Sequence, residues 1–84
     1  MQTISLRGEY ITLAQAVKAA GLADSGGQAK QLVRGGTVTV NGETETRPGR
    51  KLRAGDSFDV VGGPKWVVRG EGETEGASDE SAGA

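Results

Sequence analysis

At Gly35-Gly36 the repeat of apolar residues changes from a helical period to an extended one, and this switch limits the folds open to the chain. Before it, Ala29, Leu32 and Val33 share one helix face; after it, Val38 and Val40 alternate with Thr37 and Thr39 as in a half-buried strand. The glycine pair stops the helix, because one of the two can take a left-handed conformation at little cost. Asn41-Gly42 then folds the strand back, since both residues tolerate the positive φ of a type I′ turn. Helices before the switch and strands after it predict an α+β domain: two short helices packed on a small, mostly antiparallel sheet.

The flanking segments extend this pattern. Residues 2–6 alternate polar and apolar and predict a strand. Thr12 is placed to cap a helix whose apolar face is Leu13, Ala16, Val17 and Ala20, with Gly21 as its stop. Ser25 caps the second helix, and Gln28 three residues on completes the spacing of a capping box. Residues 43–46 are expected to form the returning strand, Ser57, Phe58, Asp59 and Val60 another. A last strand follows Gly62-Gly63-Pro64 at Lys65, Trp66, Val67 and Val68. The core expected from these elements contains Leu13, Val17, Leu22, Leu32, Val33, Val38, Val40, Leu52, Phe58, Val60 and Trp66, a modest set.

Net charge matters here through its distribution. The whole chain carries −1, but residues 1–70 hold all ten Lys and Arg against six acids, a net of +4. Residues 71–84 hold five acids and no base, a net of −5. Such segregation predicts a basic working domain over residues 1–69 and an acidic tail over 70–84. The tail lacks aromatic and large aliphatic residues and is expected to be disordered, either as a solubilising appendage or as a weak competitor for the basic face. The N-terminus lacks the pattern of a secretion signal and no stretch is apolar enough to span a bilayer, so the expectation is a soluble, cytoplasmic, monomeric domain with no membrane partner.

Catalysis finds no constellation. The chain has no His and no Cys, which removes the commonest general base, the commonest metal ligand and any thiolate site. Ser25 has no base to activate it, and no carboxylate pair has general acid–base spacing, so neither enzyme activity nor a cofactor is expected. Anion binding is better supplied. The second helix starts with Gly26 and Gly27, whose missing side chains leave the N-terminal N–H donors open to phosphate. Arg47, Arg50, Lys51 and Arg53 put four cations within seven residues, and Lys30 and Arg34 lie one turn apart on the helix before them. Facing the same side, these six would contact several phosphates of a nucleic acid. The three aromatic residues, Tyr10, Phe58 and Trp66, do not interleave with the basic run, which disfavours recognition by stacked single-stranded bases and favours the backbone of folded RNA.

Ser25-Gly26-Gly27-Gln28-Ala29-Lys30, Leu32-Val33, Gly36, Val38, Val40-Asn41-Gly42, Arg47, Arg50-Lys51-Leu52 and Gly55-Asp56, in that order, resemble the RNA-binding domain first named for ribosomal protein S-four, also called the alpha-L motif. The resemblance covers a motif core at about 11–60, and the form is similar to short stand-alone bacterial members. The resemblance implies two helices on a small sheet, with the second helix and adjacent loop held against structured RNA, ribosomal or transfer, in the setting of the ribosome or its assembly intermediates. By position it implicates Ser25, Gly26, Gly27, Lys30, Arg34, Asn41 and Lys51; Arg47, Arg50 and Arg53 join them on charge alone. The chain departs from the family pattern where Thr12-Leu13-Ala14 replaces a frequent Arg-Leu-Asp, and where Gly26 replaces a frequent cation after the serine. The alternative partner for the same basic face is an acidic segment of another protein, which would make the chain an adaptor.

Overall fold

The computed structural model describes residues 2–70. In chain order the elements are β1 (Gln2–Leu6), β2 (Ile11–Thr12), α1 (Leu13–Ala19), α2 (Gly26–Arg34), β3 (Val38–Val40), β4 (Glu43–Thr44), β5 (Lys51–Leu52), β6 (Ser57–Val60) and β7 (Lys65–Gly70). Of the acidic tail expected over 70–84, residues 71–84 lie outside the described residues, and Gly70 is instead the last residue of β7, opposite Leu6. Among the described residues no helix is long and apolar enough to cross a membrane.

Both helices begin and end as their local sequences dictate. At α1 the Thr12 hydroxyl accepts from the Gln15 N–H and the Gln15 side chain accepts from the Thr12 N–H, a complete capping box. At α2 only half of the box forms: Ser25 Oγ accepts from the Gln28 N–H, but the Gln28 carboxamide accepts from the N–H of Asp24 instead. Gly21 and Gly36 take positive φ just beyond the two helices, +79° and +80°, and let the chain reverse there. The connecting residues fold α1 and α2 into a helical hairpin that buries Leu13, Ala16, Val17, Ala29 and Val33.

Five strands form one sheet in the order β1-β7-β6-β3-β4. Asn41 and Gly42, at φ +52° and +87°, make the tight turn that sets Val40 opposite Glu43. The same register puts Val38 and Val40 opposite Val60 and Phe58, and Phe58 opposite Trp66, so one face of the sheet is apolar. That face packs on the helices. Trp66 lies half-buried on Phe58, the two rings stacked with centroids 6.5 Å apart.

Two features were not foreseen. β1 pairs with β7 in parallel, Ile4 beside Val68, which brings Ile4, Leu6 and Val68 into the core. A second, two-stranded sheet pairs β2 with β5, setting Ile11 opposite Leu52 and Thr12 opposite Lys51. The strand expected over residues 43–46 ends at Thr44, because Glu45 turns inward and recruits the following residues.

Candidate nucleic-acid interface

The basic loop after β4 is built around one carboxylate. Glu45 has only 9% of its side chain exposed and accepts from the backbone N–H groups of Thr46 and Arg47, each at 3.1 Å. Arg47 Nε binds the same oxygen at 3.1 Å, and an Arg50 guanidinium nitrogen binds the other at 2.8 Å. Side-chain hydrogen bonds from Arg47 and then Arg50 outweigh the cost of burial and hold the Glu45 pKa at about 2, against an ordinary 4.5. Arg47 nevertheless keeps 77% of its side chain exposed and Arg50 keeps 36%. Both cations are thus positioned yet still presented to solvent.

This arrangement has a pH signature. A carboxylate whose pKa is lower in the folded than in the unfolded chain adds stability that is complete above the unfolded value and is lost as pH falls through the folded one. The Glu45 contribution is therefore full above about pH 4.5 and fades toward pH 2. Urea midpoints for the natural chain and Glu45→Gln are expected to differ most above pH 4.5 and to converge near pH 2, the variant losing about 1–3 kcal/mol at neutral pH as charged hydrogen bonds weaken. A pH-independent gap would exclude this role.

The loop is also joined to the first helix. The Leu13 N–H donates to the Arg50 carbonyl at 2.8 Å and the Ala14 N–H to the Pro48 carbonyl at 3.0 Å. Two open donors of the α1 N-terminus are thereby satisfied by the loop, which is clamped to the start of that helix. At α2 the Ser25 hydroxyl meets only the Gln28 N–H, and the glycines carry no side chain over the rest of the turn. A Cβ added at Gly26 would meet nothing within 4 Å, so packing does not demand glycine there; its effect is to leave the helix end open.

Between these parts lies an open groove of about 360 Å³ lined by Gln15 and Lys18 of α1, Gly26 and Lys30 of α2, and Pro48 and Gly49 of the loop. A second depression, about 370 Å³, continues from Gly49 along Arg47, Arg50 and Lys51. Helix and loop therefore do share one side of the molecule, and Lys30, Arg47, Arg50, Lys51 and Gly26 border a continuous surface. Ser25, Gly27, Arg34 and Arg53 are exposed but line neither depression; Arg34 stands one turn along α2 from Lys30, and the Arg53 N–H donates to Asp56 at 2.8 Å. Asn41 is occupied elsewhere: its carboxamide accepts from the Ser57 N–H at 3.0 Å and donates to Asp56 at 3.3 Å, tying the hairpin turn to β6.

Two groups on this surface escaped the sequence reading. Lys18 adds a cation to the groove, and its spacing of three from Gln15 on the exposed face of α1 was the available signal. Tyr10 had no local signal. The ammonium group of Lys51 lies over its ring, 4.9 Å from the centroid, so an aromatic does join the basic run, across 41 residues of sequence. Among the described residues no group of acids is arranged to hold a metal ion.

A family model described as S4 domain matches residues 4–69. Over 59 residues, covering 70% of this chain and 83% of the relative, the sequence is 44% identical to the probable ribosome maturation protein RlbA of Bacillus subtilis (strain 168).

Proposed function

The chain belongs to the S4 domain family, and from that premise we propose that it is a non-catalytic RNA-binding protein, docking on structured RNA through the face formed by α1, α2 and the loop at residues 46–51. The observation that carries this reading is the meeting of Lys18, Lys30 and the open Gly26 end of α2 with Pro48 and Gly49 in one groove that runs on to Arg47, Arg50 and Lys51. Five cations beside open backbone donors suit the sugar–phosphate backbone, and Glu45, the carboxylate ion-paired with two of them, is buried and lines neither depression. The relative is a probable ribosome maturation protein, which supports ribosomal RNA, in the ribosome or its assembly intermediates, as the target. Transfer RNA is the second candidate within the same chemistry. The protein acts as a monomer in the cytoplasm.

Binding of this kind is mainly electrostatic, so its salt dependence is diagnostic. With about four to six phosphates neutralised, the affinity for RNA is expected to fall roughly 10²- to 10³-fold between 50 and 200 mM salt. Filter binding of total cellular RNA to the purified chain measures this. A flat response, together with recovery of a stoichiometric protein partner after nuclease treatment, would favour the adaptor role for the basic face.

A further inference from the structure

We propose that Tyr10 forms a stacking subsite for a single unpaired nucleotide at the edge of the basic groove, an inference that rests on the RNA-binding reading above. Tyr10 lies in the loop between β1 and β2 and remains 42% exposed, although it is one of the largest apolar residues of the chain. It lines an open cavity of about 420 Å³ together with Ser5, Arg7, Ile11 and Gln15. That volume lies within the roughly 300–1,000 Å³ of small-ligand pockets, enough to receive one nucleotide.

The chemistry of the walls fits a base with its phosphate. Lys51 covers one side of the Tyr10 ring, 4.9 Å from the centroid, and does not line this cavity, so a base entering the cavity meets the ring away from the ammonium group. Ile11 extends the apolar floor. The Gln15 carboxamide oxygen is held by the Thr12 N–H at 3.0 Å, so its NH2 end is what it offers to a base edge. Ser5 adds a hydroxyl, and Arg7 a cation.

The subsite is continuous with the interface, because Gln15 lines both this cavity and the groove that holds Lys18 and Lys30. Lys51 joins it from the other side, belonging to the depression along the basic loop. RNA lying in the groove with a bulged or looped-out nucleotide at this end would stack that base on Tyr10. The preferred target is then folded RNA with an unpaired nucleotide beside a paired stem.

Two RNA hairpins that differ only in one bulged adenosine test this, with affinity measured by fluorescence anisotropy at 100 mM salt. Stacking on an aromatic side chain is expected to make the natural chain bind the bulged hairpin about tenfold more tightly. Tyr10→Ala is expected to erase that preference, losing about tenfold more affinity for the bulged hairpin than for the paired one, while an unchanged circular dichroism spectrum reports an intact fold. Tyr10→Phe is expected to keep the preference. Equal affinity of the natural chain for both hairpins, or an equal loss on both in Tyr10→Ala, overturns the subsite and leaves the basic face standing. Failure of the natural chain to bind either hairpin overturns both.

Discussion

Reversal of both Lys30 and Arg34 to Glu is expected to weaken RNA binding about 100-fold or more at 0.1 M salt, with little change in stability. Each phosphate contact contributes nearly a power of ten in affinity for a tenfold dilution of salt, so two lost contacts account for roughly 60-fold and the added repulsion for the remainder. Stability is insulated because both side chains are exposed and neither belongs to the core. The two lie one turn apart, so the natural like-charge pair is replaced by another of equal repulsion. Arg34 is the basic residue in the last turn of α2, and its reversal there costs about 0.3–1 kcal/mol against the helix dipole. Filter binding gives the first quantity and thermal unfolding the second. Unchanged affinity in a folded double variant would show that this surface does not hold the RNA.

Replacement of Leu52 by Ala is expected to cost about 2–4 kcal/mol of stability and to weaken RNA binding although no charge is removed. Leu52 is fully buried and faces Ile11 across the two-stranded sheet. It is flanked by Lys51 and Arg53, so this one apolar side chain anchors the end of the basic loop. A domain of this size has a total stability on the order of 5 kcal/mol, and the expected loss corresponds to a fall in Tm of about 10–25 °C. Affinity measured well below that lowered Tm is expected to fall as the loop loses its position, and Leu52→Met, which conserves volume, is expected to restore most of both quantities. If the folded Ala variant binds RNA as the natural chain does, the loop cations act without being held in place.

The contrast between these substitutions follows how much of the molecule can be read locally. The helix caps at Thr12 and Ser25, the reversals at Gly21 and Gly36 and the Asn41-Gly42 turn depend on residues within four positions of one another. Their backbone conformations follow from local sterics and hydrogen bonding, and they appear where the residues predict. Charge was legible as well, since splitting the chain exposes a basic domain that the total conceals. Even so, local rules reached only half of the α2 capping box, because the Asp24 N–H competed successfully for the Gln28 carboxamide.

Sequence alone therefore determined the α+β class, the order of helices and hairpins, and the identity of most groove cations, all set by short-range periodicity and turn chemistry. Tertiary structure decided the rest. It paired β1 with β7 across the length of the domain and β2 with β5 across some 40 residues, and no local preference chooses between such distant partners. It turned Glu45 from a strand residue into the buried acceptor that positions Arg47 and Arg50. It brought Lys18 to Lys30 and Lys51 to Tyr10, making one surface of groups scattered over residues 10–51. The physical reason is that these contacts exist only after the core has closed, when burial of Leu13, Leu52 and Phe58 holds together segments that have no affinity for one another alone.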